Sequence, residues 1–413
     1  KMVQVYGGIP IVDHPLSSSE YGIKRNTIAE CLHAIQGWLQ KASNLLPVKE
    51  HTEVGRATKG AALSLLAKAY LYEASYAENY AGDARFAGCT NTYAKALACA
   101  DSVISQNAGT YKLVGIDGET FDTYWNQKKS TIYPGKTPGY RYIFTVAGEN
   151  SDESIFSIQS VNDKDQYMLT RGTYLTIYTG VRDYVTAKGN STTLGWGFNC
   201  PTQDLKNAYL SEGDTLRKKV TIGETGDPIF MTDGWGTLKC TQSPTNMIGR
   251  KYEASPDEFW NNRSSADGTG PNNFPYIRYA DVVLMGAEAA IKAGVATLPL
   301  SGLTPLQLVN MVRKRARNGA ASGTPADLTS VNFESIVKER QLELALEGHR
   351  FFDLVRWKKQ DIIAKQELRL FLGGVAQTPT QSSFSSPKND FFPIPMAEIQ
   401  YSGGNLKQYP GWE

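Results

Sequence analysis

Histidine and cysteine are scarce in this 413-residue chain, with four of the first and five of the second. The histidines (His14, His33, His51, His349) lie far apart and the cysteines (Cys31, Cys89, Cys99, Cys200, Cys240) form no CxxC pair, so the ligand spacing of a zinc site is missing. The cysteines read as free buried thiols, with one disulfide, Cys89–Cys99 or Cys200–Cys240, left open for an oxidising compartment. An excess of charge of one sign is also missing. Against 43 basic residues stand 41 acidic ones, a net charge of +2, which argues against a nucleic-acid binder with its basic face. No run of about 18 apolar residues occurs, so nothing reads as a membrane-spanning helix. GxSxG, P-loop and HExxH motifs are absent, and with them the usual signatures of nucleophilic, phosphate-binding and zinc-hydrolase chemistry. "DGETFD" and "NDKDQ" gather oxygen-bearing side chains without matching the EF-hand pattern, so no cofactor is expected and a surface calcium alone stays open. The first residues lack the charged-then-apolar pattern of a signal peptide. "KMVQVYGGIPIVDHP" reads as the end of an element followed by a turn, which leads us to expect a segment upstream of it.

What is present is a chain with 41% apolar residues, enough for a sizeable core. Helical periodicity dominates both ends. A helix is expected over 26–46, capped by Asn26 or Thr27. A clearer one follows Thr58, with Ala62, Leu65, Leu66, Ala69, Tyr72 and Tyr76 at helical spacing, and Leu66, Ala67 and Tyr70 at offsets found in tetratricopeptide (TPR) helices. Residues 91–107 form its partner, across a glycine-bearing insertion, and the small residues on these faces imply closely packed pairs. Helices resume near 275, stop at Gly294, restart after Thr304 with Pro305 in the first turn, and continue over 331–347 and 350–370, with Gly348 as the interruption. Between them, 111–260 carries few periodic runs and short β-like pieces such as "ESIFSIQ". The expected fold is mainly α, one domain over 1–413: helical scaffold at 26–110 and 275–372, an irregular subdomain at 111–274 and a wrapping tail at 373–413.

The most highly charged stretch, "ERQLELALEGHRFFDLVRWKK" at 339–359, raises the question of catalysis. Paired carboxylates do acid/base work in glycosidases, but there they face each other across a substrate. Glu339, Glu343 and Glu347 recur every four residues and so share one helix ridge. Arg340, Arg350 and Arg356 stand near enough in sequence to neutralise them, and such partners lower carboxylate pKa values, the wrong direction for a general acid. Structural ion pairing is the reading, with His349 a surface or cap residue.

Aromatic residues point elsewhere. Residues 111–260, about a third of the chain, hold 11 of 22 Tyr and 4 of 7 Trp. The tryptophans sit in loop-like contexts: "DTYWNQ" (Trp125), "LGWGFN" (Trp196), "DGWGTL" (Trp235) and "DEFWNN" (Trp260). Such rings fill a core in many proteins, but beside glycine or Asn they are placed to cover the apolar face of a sugar. The candidate ligand site is therefore Trp125, Tyr133, Tyr178, Trp196 and Trp235 as stacking platforms, with Asn126, Asn199 and Asp233 as polar partners. A pure TPR adaptor without a small ligand is an alternative.

Six blocks, in order, resemble the SusD/RagB family of outer-membrane glycan-binding lipoproteins of the Bacteroidetes. They are "VYGGIPIV", "GRATKGAALSLLAKAYLY", "CPTQDLKNAYLSEGDTLR", "YIRYADVVLMGAEA" with "VRKRARNG", "IVKERQLELALEGHRFFDLVRWKK", and "FFPIPMAEIQYS" with "LKQYPGW". The resemblance spans nearly the whole chain. It implies a right-handed TPR-like scaffold of about four helix pairs holding a loop-built ligand site. It also implies a non-enzymatic cell-surface role: binding an oligosaccharide and delivering it, as a lid, to a SusC-like TonB-dependent β-barrel transporter, with an N-terminal lipid anchor in the outer membrane. A peptide ligand, as in the RagB branch, is the alternative within the family. The family's lipidated start and first helices precede the Tyr-Gly-Gly turn and are not in this sequence, and its ligand loops are too variable to transfer single binding residues.

Overall fold

The computed structural model describes residues 1–123, 135–160, 172–189, 191–192, 195–231, 234–253, 270–368, 371–372, 375–376, 378 and 380–413. Six helices make the scaffold: α1 Ile28–Leu45, α2 Lys59–Asn79, α3 Tyr93–Ile104, then, after the middle of the chain, α6 Tyr279–Ala293, α7 Pro305–Ala316 and α8 Phe333–Glu343. Two further helices, α4 Gln203–Ser211 and α5 Thr215–Thr221, belong to the intervening region, and the short α9 Arg350–Arg356 follows α8.

Local chemistry sets the boundaries. Thr27 caps α1 in a reciprocal box: its hydroxyl accepts from the Glu30 amide at 3.1 Å, and Glu30 accepts from the Thr27 amide at 2.8 Å. Thr58 caps α2 and Thr304 caps α7, with Pro305 at the first helical position. Gly294, at φ 69°, closes α6 in the left-handed conformation. Two expectations shift. The helix foreseen over 331–347 stops at Glu343, because the chain turns through Leu346 (φ 63°) and Gly348 (φ 75°). The run foreseen over 350–370 stops at Arg356. Lys358 turns left-handed at φ 54°, which sends Trp357 inward to donate its indole N–H to Glu288 at 2.7 Å. Only a single further turn, Asp361–Ala364, is helical before the chain becomes extended.

The helices pack in chain order, α1 on α2, α2 on α3, α3 on α6 and α6 on α7, with α8 also against α6. Their shared core runs through Leu66, Leu97, Val103, Val282, Leu284, Leu308 and Ile336. Ala67, Ala100 and Ala287 are completely buried, and a Cβ on Gly286 would come within 2.7 Å of the Ile104 side chain. Small residues therefore set how closely α3 and α6 approach, as in TPR-like pairs.

The region between α3 and α6 carries short strands. β1 Ser154–Ile158 pairs antiparallel with β6 Phe274–Arg278, which runs straight into α6. β2 Tyr184–Thr186 pairs with β4 Gly236–Leu238, and β3 Ile222–Glu224 with β5 Met247–Gly249. At the far end the C-terminal segment returns to the start. Phe391 stacks on Tyr409, whose hydroxyl accepts from the Gly8 amide at 2.8 Å. A Cβ on Gly7 would sit 1.9 Å from that hydroxyl, so the Tyr-Gly-Gly motif is the footprint of the chain's own C-terminal tyrosine. All five cysteines are free thiols. No helix among the described residues is long and apolar enough to cross a membrane.

Candidate functional site

The three glutamates are buried and saturated but do not share one helix ridge: α8 ends at Glu343, and Glu347 lies in the turn beyond it. Glu343 accepts from Arg217 at 3.0 Å, from Arg278 at 2.5 Å and from Arg315. Glu339 pairs with Arg217 at 2.7 Å and Arg313 at 3.0 Å, and Glu347 with Lys251 at 2.6 Å and Arg278 at 2.7 Å. Burial works to raise the Glu343 pKa, yet the three guanidiniums outweigh it and hold the carboxyl well below its ordinary range. Such a group neither gives nor takes a proton near neutrality, and no substrate reaches it.

The ion pairing is as expected, but its partners are not. Arg340 bridges Asp281 (2.8 Å) and Asp353 (2.9 Å), and Arg356 pairs with Asp353 (2.9 Å) and Glu288 (2.5 Å). Arg350 meets none of the three glutamates; it donates to the Val337 carbonyl at 2.8 Å. The glutamates face both the middle of the chain and α7, whereas Arg340 and Arg356 face α6. His349 is buried rather than superficial; it stands at the N-cap position of α9, where its carbonyl accepts from the Asp353 amide at 3.0 Å but its side chain makes no cap bond. Burial lowers its pKa to about 3, and Lys68, 3.4 Å from its Nδ1, acts in the same direction.

A second arrangement lies open to solvent. The stretch 175–181, which begins with the short helix Leu175–Thr179, and the segment 195–198 run side by side, joined by four backbone bonds. The Trp196 amide donates to Ile177 (2.8 Å), Phe198 to Tyr178 (2.7 Å), Gly197 to Gly180 (2.9 Å) and Gly195 to Val181 (2.9 Å). Glycine makes this approach feasible. A Cβ on Gly195 would lie 2.5 Å from the Ile177 carbonyl, and Gly197 sits at φ 66° with its missing Cβ against Arg182. Side chains then alternate, glycines inward and rings outward. Trp196 and Phe198 are 52% and 55% exposed, large values for such residues.

The rings form one surface. Tyr174 and Tyr178, one helical turn apart, stack at 5.6 Å and 19°. Tyr178 also meets Trp196 (5.0 Å, 41°) and Phe198 (6.1 Å, 44°), which stand edge to face at 80°. Trp235 occupies a similar setting at the head of β4, between Gly234 (φ 87°) and Gly236 (φ 133°), where a Gly236 Cβ would lie 2.1 Å from the Val185 carbonyl. It is 41% exposed and rests edgewise on Phe230 at 6.0 Å. Ile177 and Val181 under the first surface, and Phe230 and Leu238 under Trp235, belong to one apolar cluster, so a single small core carries both exposed tryptophans.

Tyr178 and Trp196 are thus brought together, and Trp235 shares their support without touching their rings. Asn199 is exposed, at φ 56°, and its amide nitrogen donates to the Leu346 carbonyl at 2.9 Å, so half of that side chain is engaged in structure. Trp125, Asn126, Tyr133 and Asp233 lie outside the described residues. Tyr174 and Phe198, not among the candidates from sequence, adjoin them on this exposed ring surface. The signals were there: a Tyr-x-x-x-Tyr repeat at helical spacing, and a Gly-Trp-Gly-Phe alternation that puts Phe198 on the face of Trp196. Among the described residues no group of three or more His, Cys, Asp or Glu could hold a metal ion.

Residues 152–412 match the model of the SusD family, and residues 1–71 match a second model described as "Starch-binding associating with outer membrane". A SusD-like protein of Bacteroides ovatus is 26% identical over 318 residues, 75% of this chain. The match covers 48% of that relative, so the chain spans about half its length. Among solved structures, surface glycan-binding protein A of Bacteroides fluxus superposes with a TM-score of 0.70 at 22% identity, over 99% of this chain and 74% of that one. Surface glycan-binding protein A of Bacteroides thetaiotaomicron, in complex with laminarihexaose, gives 0.67 at 21%, over 98% and 74%. These structures share the fold.

Proposed function

Because the chain belongs to the SusD family, we propose that it captures a glycan at the cell surface and hands it to a TonB-dependent β-barrel transporter. The single observation that carries the glycan reading is the exposed surface of Tyr174, Tyr178, Trp196 and Phe198. Flat rings at 5.0–6.1 Å spacing offer apolar faces to successive sugar rings, and glycine-dependent backbone contacts hold them rigid. Rigid rings lose little entropy on binding, which suits a surface that must catch a flexible chain. The complex of a relative with laminarihexaose makes that oligosaccharide the first probe. The role is binding without catalysis: the carboxylate cluster is sealed by arginines, so the proposal requires no hydrolysis of the captured chain.

Calorimetry on a glycan panel that includes laminarihexaose tests this. Trp196→Ala combined with Tyr178→Ala should weaken binding at least about tenfold, the loss of aromatic anchors worth about 1.4 kcal/mol or more. No binding to any glycan, or unchanged affinity in the double variant, would overturn the site. Crosslinking in native membranes should recover a large β-barrel protein; its absence would sink the transporter partnership. Lipid anchoring in the outer membrane, through a segment upstream of Lys1, belongs to the same proposal and is checked by metabolic labelling with a fatty-acid analogue.

A further inference from the structure

Phe230 and Met231 are bulky and buried, and both are held in left-handed backbone, at φ 54° and φ 50°. That conformation is unfavourable for such side chains and persists only where the surroundings enforce it. Here an ion pair does so. The Glu253 carboxylate accepts from the Phe230 amide at 2.6 Å with one oxygen and from Arg250 Nε at 2.6 Å with the other. Arg250 also donates from Nη2 to the Pro228 carbonyl at 2.6 Å. The pair therefore grips the turn 228–231 from both sides. Arg250 is itself fixed in place: it directly follows β5, and its amide donates to the Thr221 carbonyl at 3.0 Å.

What the gripped turn presents is the Phe230 ring. The chain doubles back after it, and the Leu238 amide donates to the Asp227 carbonyl at 2.8 Å. Trp235 is thereby returned onto Phe230, edge to face at 6.0 Å and 89°. It stands between Gly234 and Gly236, whose backbone freedom leaves the direction of the exposed indole to the ring beneath it. We propose that the Arg250–Glu253 pair is a positioning device: it holds the strained turn so that Phe230 fixes Trp235 as a second stacking platform for the captured glycan. This rests on the glycan reading of the ring surface. A platform whose direction is set before the ligand arrives needs little ordering on binding. An ion pair serving stability alone would not require two bulky residues in this backbone, and strain of this kind collects at ligand clamps.

Fluorine NMR on the full chain, labelled with 5-fluorotryptophan, reads Trp235 apart from Trp196, the two signals being assigned with Trp235→Phe and Trp196→Phe. Glu253→Leu should move or broaden the Trp235 signal and leave that of Trp196 in place. Arg250→Lys keeps a charge for Glu253 but cannot also reach Pro228, so it should move the same signal by less, and it decides the matter if Glu253→Leu does not fold. Glu343→Gln, which loses stability elsewhere in the fold, should move neither. In calorimetry, Glu253→Leu should weaken glycan binding about as much as Trp235→Ala does, at least about fivefold, the scale of one lost aromatic anchor. A Trp235 signal that stays put in whichever clamp variant folds, or that Glu343→Gln moves equally, would overturn the clamp. Unchanged glycan affinity in Trp235→Ala would overturn the platform role. A parent chain that binds no glycan would instead defeat the reading of the ring surface, while the fluorine signal would still decide the clamp.

Discussion

Glu343→Gln removes one charge and almost no volume from the middle of a buried network. Three arginines converge on that carboxylate, and each also reaches another acid: Arg217 reaches Asp214 and Glu339, Arg278 reaches Glu153 and Glu347, and Arg315 reaches Glu153. The amide can satisfy some geometry but cannot neutralise the guanidiniums. Breaking one partner out of a buried ion pair costs about 3–5 kcal/mol, because the other charge stays buried. Unfolding entropy of about 2.1 cal/mol/K per residue, over 413 residues, is about 0.87 kcal/mol/K. The melting temperature should therefore fall by about 3–6 °C in differential scanning calorimetry. The pH dependence sharpens the test. The folded carboxyl is held below its usual range while the unfolded one titrates near about 4.3, so the stabilisation is full above that value and fades as pH falls further. Glu343→Gln should flatten the stability profile below about pH 4.3. Glycan affinity should not move. A variant that melts within about 1 °C of the parent would refute the claim that this network holds the scaffold to the middle region. Glycan hydrolysis that disappears in the variant would refute the non-catalytic reading instead.

Gly195→Ala should separate the ring surface from the fold: a Cβ 2.5 Å from the Ile177 carbonyl forces segment 195–198 away, so glycan affinity drops by at least about tenfold while the melt shifts by only about 1–3 kcal/mol equivalent. His349, pushed down to about 3 by burial with Lys68 beside it, should show no imidazole NMR titration between about pH 5 and 8. Since the unfolded imidazole takes a proton near about 6.5 and the folded one refuses it, stability should decline from that pH toward 3, and His349→Gln should reduce the slope; a normal titration would end the argument. Thr27→Ala deletes the cap of α1 and should cost about 1 kcal/mol in urea titration; no change would show that the Glu30 bond alone secures that end.

Much of the scaffold was legible because its signals are local. A Thr cap, a Pro in the first turn and a Gly at the end act within a few residues, so α1, α2, α6 and α7 begin and end close to where the pattern places them. The breaks after Glu343 and Arg356 were less so, because Leu346 and Lys358 adopt left-handed backbone for the sake of distant partners, the Trp357–Glu288 bond among them. The same divide runs through the site. Ring density and glycine flanks singled out Trp196 and Trp235, but Tyr174 and Phe198 gain meaning only when 175–179 and 195–198 lie side by side.

By itself the sequence determined the helical periodicity, the shared helix face of Glu339 and Glu343, the concentration of rings in the middle third and the family blocks, since each depends on spacing along the chain. Tertiary structure alone decided who faces whom. The partners of Glu339 and Glu343 are Arg217, Arg278, Arg313 and Arg315, 26 to 126 residues away, rather than their neighbours in sequence. A short helix and a loop meet to make one aromatic surface. A side chain's charge is fixed by its own chemistry, but its counterion is whichever group folding buries beside it.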